Sequence, residues 1–376
     1  MVAAARSWKR FAAMRRRAVG VREALTASLL SAARNARRSG RSFAAACVLA
    51  GASWPHGAHA QNAGQLDSRE DTSEALDNAA YATPGIIGAP LDNLYSTAPG
   101  QEAQVPPQFR LGGLLPLGWN SNIDEIARDG RYSWEFWPRG DLSAAAPLGA
   151  GLPFRVTGSA GAEQELYFAA PDWNIQYLRA QGRVQYVDPT NDQAWSPYIA
   201  VAPRQDFIGG YQDQISSRQD LNLGFQKRWN LGDDFQPVPI ANSTASSTVL
   251  SFGLTGFIQR RLREPQTSSD AIFLIPSAAY TFNDYVNVSV GVDALGRWFD
   301  TDGFGFKRRD FEVTPVGTLE FVIPKWVFGR DEGAARLLGS PAVDLQESYT
   351  RNWSNRPDGG WVQWQTRAVF KVGWRF

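Results

Sequence analysis

The chain has 376 residues, with 38 Lys and Arg against 37 Asp and Glu, and a formal net charge of +1 at pH 7. The charge is unevenly distributed. Residues 1–60 hold eleven basic residues and one acidic residue, so residues 61–376 hold 27 basic and 36 acidic residues and carry a net charge of −9. This negative charge disfavours nucleic acid as a partner of residues 61–376.

The first 60 residues also contain every His, Met and Cys of the chain: His56, His59, Met1, Met14 and Cys47. If this segment is removed, the mature chain has no histidine or thiol. That excludes a Ser-His-Asp triad, a Cys nucleophile, imidazole or thiolate metal sites and disulfides. We therefore expect no enzymatic activity, no metal and no other cofactor.

The N-terminal segment has the features of an export leader. An Arg-rich stretch precedes the apolar run 42–54, which is shorter than the roughly 20 residues that span a bilayer. Ala58-His59-Ala60 follows as a processing site, so we expect residues 1–60 to be a signal peptide that is cleaved between Ala60 and Gln61. A lipoprotein anchored through Cys47 and a cytosolic protein with a basic head are the alternatives.

Residues 61–107 are rich in Ala, Asn, Gln, Asp, Gly and Pro and show no apolar periodicity. This composition predicts a flexible periplasmic segment that precedes the folded body.

From residue 108 onward, apolar and polar residues alternate with a period of two. In the last segment, alternate positions from Val362 to Phe376 are mostly apolar, whereas Gln363, Gln365, Arg367 and Lys371 lie on the opposite face. Such alternation predicts β-strands whose two faces meet different environments. Several runs are far longer than the five or so residues of an ordinary strand, and a tilted membrane-spanning strand needs about 9–11.

The alternation predicts twelve strands, although ten or fourteen remain possible. Their approximate ranges are 109–121, 130–145, 154–170, 173–187, 194–204, 217–231, 248–263, 271–282, 285–299, 308–323, 342–353 and 360–376. The range 342–353 is the weakest, because Glu347 and Arg351 fall on its apolar face. An even number would place both chain ends on one side of a membrane.

Trp and Tyr concentrate near the ends of these predicted strands, as they do in the aromatic girdles of membrane barrels. A large soluble β-sandwich with ordinary core aromatics is the alternative. The fold class expected is all-β, an antiparallel up-and-down transmembrane β-barrel over residues 108–376.

The leader, the alternating strands and the terminal strand ending in Val372-Gly373-Trp374-Arg375-Phe376 resemble a Gram-negative outer-membrane β-barrel. The resemblance implies that Trp374 and Phe376 belong to a signal read by the barrel-assembly machinery, although Lys371 stands where a Gly is common. It also implies a location in the cell outer membrane, in contact with lipid and lipopolysaccharide. A weaker similarity, carried by the segment 118–123 (GWNSNI), is to β-barrel porins linked to polysaccharide loci.

If the apolar faces meet lipid, the polar faces line the barrel interior. The candidate pore-lining residues are Arg155, Arg179, Arg183, Arg228, Arg261, Arg263, Asp293, Asp310, Glu312, Glu320, Arg367 and Lys371. Either water fills the interior, with basic and acidic arcs setting a transverse field, or salt-bridged side chains fill it. A barrel of about eight strands is filled and one of sixteen is open, so twelve lies between them.

The expected function is a passive, porin-like channel for small hydrophilic solutes. The alternative is a structural or export-complex partner, for example in polysaccharide secretion, with a filled or gated lumen and with segment 324–341 as a docking element.

Overall fold

The computed structural model describes residues 108–375 except 126–129, 150, 189, 190, 192, 233, 234, 237–249, 284, 301–306, 325, 326, 328–340, 357 and 358. The leader at residues 1–60, the segment 61–107, Phe376 and most of segment 324–341 therefore lie outside the described residues.

Thirteen β-segments follow one another in the described part of the chain, with one short 3₁₀ turn at Pro171–Trp173. They are β1 (Gln108–Asn120), β2 (Ser133–Phe136), β3 (Arg139–Pro147), β4 (Phe154–Tyr167), β5 (Ile175–Tyr186), β6 (Ser196–Ile208), β7 (Asp213–Leu231), β8 (Leu250–Glu264), β9 (Ser269–Asn283), β10 (Val286–Phe299), β11 (Arg309–Val322), β12 (Ala342–Ser354) and β13 (Trp361–Arg375).

Segments β2 and β3 are two parts of one barrel strand. Both pair with β1 on one side and with β4 on the other. The interruption falls at Trp137 and Pro138, where proline has no N–H to donate to a neighbouring strand. Inward and outward positions keep the same parity across it, so Glu135, Trp137 and Asp141 all point inward and are buried. The sequence is thus correct in assigning a single strand here, although the observed segments run from Ser133 to Pro147 and not from 130 to 145.

The sheet closes on itself, because β13 pairs antiparallel with β1 from Arg110↔Arg375 to Asn120↔Gln365. Each other strand pairs with its neighbours in sequence. The result is a closed barrel of twelve antiparallel strands, as the alternation predicted. Closure also excludes a sandwich, in which two separate sheets would pack face to face.

The outer surface is apolar and the inner surface is polar. Outward-facing Leu223 and Ile258 are more than half exposed, whereas inward-facing Arg261 and Glu320 are 1% exposed. This is the reverse of a soluble protein, and it is the arrangement that a barrel in lipid requires. Among the described residues, no helix is long and apolar enough to cross a membrane.

Strand β12 is present despite the two charged residues on its outward face. Glu347 accepts hydrogen bonds from the Thr366 hydroxyl of β13 at 2.8 and 3.0 Å. The Arg351 guanidinium lies 5.5 Å from the centre of the Trp353 ring. Both charges therefore have local partners, which reduces the cost of placing them on the outer surface.

Strand β9 departs from simple alternation, because both of its faces are largely apolar. Phe273 and Ile275 point inward and are buried, and the Phe273 ring stacks on Phe257 of β8 with centroids 4.3 Å apart. Alternation does not reveal an apolar inward face of this kind. The apolar luminal cluster comprises Tyr198, Ala200, Phe257, Ala271, Phe273, Ile275 and Leu295.

The two rims of the barrel differ in their connections. We call the rim where β1 begins and β13 ends the terminal rim, and the other the far rim. The terminal rim has one tight turn, in which Asn283 accepts backbone hydrogen bonds from Tyr285 and Val286. It also carries the two longest connections between strands, residues 232–249 and 323–341. The far rim includes the short turn 209–212, where Gly209 and Gly210 adopt positive φ angles of 65° and 72°.

Candidate luminal binding site

All twelve pore-lining candidates lie on strands at positions of inward parity. They are Arg155 on β4, Arg179 and Arg183 on β5, Arg228 on β7, Arg261 and Arg263 on β8, Asp293 on β10, Asp310, Glu312 and Glu320 on β11, and Arg367 and Lys371 on β13. Their role in lining a conducting path stays a prediction.

The register of four adjacent strands places four arginines side by side. Arg179 of β5 is directly opposite Arg204 of β6, Arg204 is opposite Arg218 of β7, and Arg218 is opposite Arg263 of β8. All four positions have inward parity. We call this set the arginine row. Arg263 is the penultimate residue of β8, so the row reaches the far rim.

Like charges directly opposite each other on neighbouring strands are destabilising, so a row of this kind needs compensation. Ion pairs provide part of it: the Arg179 guanidinium lies 3.5 Å from Glu163, Arg204 lies 2.6 Å from Asp206, and Arg218 lies 3.4 Å from Asp220. Each of these pairs joins residues on one strand or on neighbouring strands, so the carboxylates lie along the wall beside the arginines.

Asp220 also binds a second arginine. Arg261 of β8 donates two hydrogen bonds to it, from Nε at 2.9 Å and from an Nη at 3.0 Å. Such a bidentate pair is among the stronger polar contacts in proteins. One carboxylate is thus shared between two guanidinium groups.

Tyrosine rings fix two luminal arginines. The Arg204 guanidinium carbon lies 3.5 Å from the centre of the Tyr177 ring, and that of Arg183 lies 3.7 Å from the centre of Tyr198. Arg183 also donates a 2.8 Å hydrogen bond to Gln226. Stacking on an aromatic face orients a planar guanidinium and leaves its edge for hydrogen bonding.

Strands β5–β8 therefore form a basic wall. Its inward-facing charged residues are Arg179, Arg183, Arg204, Arg218, Arg228, Arg261 and Arg263, with Asp206 and Asp220.

Strands β10–β12 form an acidic wall, separated from the basic wall by β9. Its inward-facing charged residues are Asp293, Asp310, Glu312, Glu320 and Asp344, with Arg297. Glu320 accepts a hydrogen bond from Asn287 at 3.1 Å and forms an ion pair with Lys371 of β13, which is also 2.8 Å from Asp344. The basic and acidic residues thus lie on separate groups of strands, and the transverse field expected from the sequence stays a prediction.

The neighbouring carboxylates Asp310 and Glu312 have different contacts. Asp310 pairs with Arg308, whereas Glu312 lies within 3.5 Å of the Thr314 hydroxyl, which in turn bonds Thr350. No group of three or more His, Cys, Asp or Glu among the described residues is arranged to hold a metal ion.

A third charged contact closes the seam between the first and last strands. Glu135 of β2 binds Arg367 of β13 at 2.8 Å and accepts a hydrogen bond from Asn120 of β1 at 3.2 Å. The β1 residue between them is Gly118, where a Cβ atom would lie 2.6 Å from the Arg367 side chain. A residue without a side chain is required there, which explains one glycine of the first strand.

At the far rim, the segment after β1 folds inward. The Asn122 side chain donates a 2.8 Å hydrogen bond to the Val362 carbonyl, and Gln363 donates one of 2.9 Å to the Asn122 carbonyl. Ile123 is 1% exposed and belongs to an apolar cluster with Trp137, Tyr167 and Ala170. The segment thus covers part of the lumen near this rim.

Three groups near the rims and outside the strands have shifted pKa values. A hydrogen bond to Asp124 raises the pKa of Arg131, and the two are joined at 2.8 Å. A hydrogen bond from Arg260 lowers the pKa of Asp300, just beyond β10. Burial raises the pKa of the Tyr211 hydroxyl in the turn between β6 and β7.

Sequence reasoning missed Arg204 and Arg218, although both fall inside the expected ranges 194–204 and 217–231, because each lies at or next to the end of its range. The expected ranges ended at 204 and began at 217, whereas β6 runs to Ile208 and β7 begins at Asp213. The segments involved contain Gln205, Asp206 and Gln214, which obscure the alternation. Of the proposed assembly signal, Trp374 lies in β13 opposite Leu111, and Phe376 lies outside the described residues.

The described residues thus form a closed twelve-stranded barrel with an apolar outer belt and a charged inner wall, which is the architecture of a membrane-spanning β-barrel. No protein-family model matches the chain, and a search of curated proteins finds no significant match.

Solved outer-membrane barrels are similar to the chain at low identity. The COG4313 outer membrane channel from Pseudomonas putida F1 is 8% identical, and the match covers 74% of this chain and 100% of that one, with a TM-score of 0.45. The translocator domain of autotransporter NalP from Neisseria meningitidis is 7% identical over 82% of this chain and 98% of that one, with a TM-score of 0.41. The KdgM porin in complex with disordered oligogalacturonate is 9% identical over 70% of this chain and 98% of that one, with a TM-score of 0.29.

Proposed function

We propose that the protein is a narrow, passive outer-membrane channel for small hydrophilic solutes and that its basic wall favours anions. The observation that carries the proposal is the charged inward face of the barrel. Buried ion pairs add little net stability, and apolar residues of similar volume are often as good or better. Stability alone therefore does not require inward-facing arginines such as Arg179, Arg204, Arg218 and Arg261. A path for polar solutes does require polar or charged side chains on the inner wall.

Several inward charges are packed closely against their neighbours. Arg261, Arg297 and Asp293 are each 1% exposed, so solvent scarcely reaches them. Conduction on this proposal requires the luminal side chains to rearrange, and the unitary conductance is therefore small. The inward-folded segment at Asn122 and Ile123 is the element that would control access from the far rim.

The test is single-channel recording of the purified, folded protein in a planar lipid bilayer. We expect small, discrete current steps. Across a salt gradient, we expect the sign of the reversal potential to show that anions permeate more readily than cations. Replacing Arg179 and Arg183 by Ser removes two positive charges from the basic wall and should move the reversal potential towards zero. Arg351→Ser is the matched control, because Arg351 faces outward on β12. A demonstrably folded barrel that never conducts would contradict the proposal.

A partner role in an export complex is the second candidate. It is favoured by the terminal rim, which carries the long connections 232–249 and 323–341, whereas outer-membrane barrels usually have short turns on the periplasmic side where their chain ends lie. Cross-linking in intact cells, with photoreactive residues placed in these two connections, tests it. A specific adduct supports the partner role, and cross-links to lipid alone would count against it.

The same proposal includes export, removal of the leader between Ala60 and Gln61, and insertion by the barrel-assembly machinery through a signal that contains Trp374 and Phe376. The mass of the protein isolated from outer membranes tests the cleavage position. Transport without catalysis is the activity we propose.

A further inference from the structure

The arginine row has a geometry that suits a ligand with several charges. Neighbouring strands are about 4.8 Å apart, so the four positions from Arg179 to Arg263 span roughly 14 Å. Strands in such barrels are tilted by about 35–45°, so a line drawn across them climbs along the lumen wall instead of circling it at one height. The row is thus a rising line of guanidinium groups that ends at the far rim.

A single small anion can contact only one or two members of this row. A linear molecule with anionic groups spaced along its length can engage successive arginines, and each contact after the first is effectively intramolecular. Guanidinium groups suit this role, because their forked donors match carboxylate and phosphate oxygens.

The barrel already contains carboxylates that make the kind of contact with the arginines that such a ligand would make. Glu163, Asp206 and Asp220 each contact a member of the row along the wall. An entering polyanion would exchange with these internal carboxylates, which keep the arginines from repelling one another when no ligand is bound. The exchange predicts binding that is reversible and weakened by salt.

The net charge of −9 on residues 61–376 does not oppose binding at this wall. The inward-facing acidic residues of β10–β12 lie on separate strands, across β9 from the basic wall. A polyanion in the lumen is attracted by one wall and repelled by the other, which holds it along the arginine row.

We propose that the arginine row of Arg179, Arg204, Arg218 and Arg263 is a binding track for linear anions that carry several negative charges along a chain. This inference deepens the proposed channel function and rests on it for its role in transport, although binding itself does not require conduction.

Calorimetric titration of the full, folded protein in detergent tests the track, with linear tripolyphosphate as the probe and inorganic phosphate as its single-unit counterpart. We expect tripolyphosphate to bind at least about tenfold more tightly than phosphate. A charge-assisted hydrogen bond to each arginine corresponds to roughly tenfold in affinity, so Arg218→Gln with Arg263→Gln should weaken tripolyphosphate binding about a hundredfold.

Arg260→Gln is the matched control for these variants. Arg260 is on the same strand as Arg263 but faces outward, where it pairs with Asp270 and Asp300, so its loss should leave binding unchanged. Heat-modifiable migration on a gel establishes that each variant is folded. Equal affinity of the wild type and the double variant, or of tripolyphosphate and phosphate, would overturn the track.

Glu163→Gln provides a test of opposite sign that does not depend on the double variant folding. It removes the carboxylate that pairs with Arg179 and should tighten tripolyphosphate binding, and unchanged or weaker binding would count against the proposal. Recording in bilayers separates the two proposals. Conduction without tripolyphosphate binding would contradict the binding track alone. Tripolyphosphate binding without conduction would contradict the channel proposal and support the binding track.

Discussion

The basic and acidic walls of the lumen solve the problem of buried charge in different ways. In the basic wall, arginines stand directly opposite one another across strands, and are held by tyrosine rings and by carboxylates beside them. In the acidic wall, Glu312 and Glu320 contact neutral Thr and Asn groups, and Lys371 reaches in from the next strand. One wall presents a continuous row of four like charges, whereas the other has one directly opposed pair of carboxylates, Glu320 and Asp344, which Lys371 bridges.

This difference arises from strand register more than from composition. A carboxylate of the acidic wall can be satisfied by whichever donor is near, so its neighbours are varied. The arginine row exists only because three successive strand pairings align one residue from each of four strands. A shift of two residues in any of these pairings would keep every arginine inside and still abolish the row.

Removing the shared carboxylate of the basic wall is expected to have the largest effect on stability. Asp220→Leu leaves Arg218 and Arg261 without a carboxylate that both contact, and breaking a buried pair in this way costs about 3–5 kcal/mol. The midpoint of urea unfolding in lipid vesicles measures it. Asp270→Asn is the control, because Asp270 is 63% exposed in its pair with Arg260 and should cost less than about 1 kcal/mol. Equal losses in both variants would contradict this account of the basic wall.

The inner surface of the basic wall is more tightly packed around Gly224 than the outer surface of the acidic wall is around Gly317. Replacing each glycine by alanine tests this difference. At Gly224 of β7, a Cβ atom would lie 2.6 Å from the Cβ of Phe257 and 2.7 Å from the Tyr198 ring. We expect Gly224→Ala to destabilise the barrel by about 1–3 kcal/mol through overpacking.

Gly317 on β11 is the control for this substitution, because nothing lies within 4 Å of a Cβ atom there. Gly317→Ala should leave the unfolding midpoint within experimental error of the wild type. If Gly224→Ala is equally harmless, the apolar cluster is more loosely packed than described.

Removing one negative charge from the acidic wall should make the lumen as a whole more positive. Glu312→Gln removes a negative charge from the lumen, so the reversal potential in a salt gradient should shift towards greater anion preference. Glu347→Gln removes the same charge from the outward face of β12 and should cause no shift. Identical reversal potentials for wild type and Glu312→Gln would show that this wall is not part of the ion path.

The strands and residues of the two walls also show which features can be predicted from the sequence. Period-two alternation predicts the twelve strands, including β12 with its outward Glu347, and it assigns Arg179 and Arg263 to the inward face. It cannot say that Arg204 and Arg218 stand between them, because alternation determines the face of a residue and says nothing of its neighbour on the next strand. Nor can it identify an inward apolar face such as that of Phe273, where both faces look alike.

The smallest expected effect lies outside the lumen, at the far rim just beyond β10. Asp300 accepts hydrogen bonds from Arg260 at 3.0 and 2.7 Å, which lower the pKa of Asp300 below its ordinary value of 3.8. A carboxylate with a lowered pKa in the folded state contributes stability that is fully present above pH 3.8 and is lost as the pH falls through the folded-state pKa. Because both side chains are partly exposed, the contribution is small. The difference in melting temperature between the wild type and Asp300→Asn should therefore be slight at neutral pH and vanish in acid, below the pKa of the folded state. A difference that grows with acidification would contradict this assignment, because it would require a group whose pKa is raised on folding.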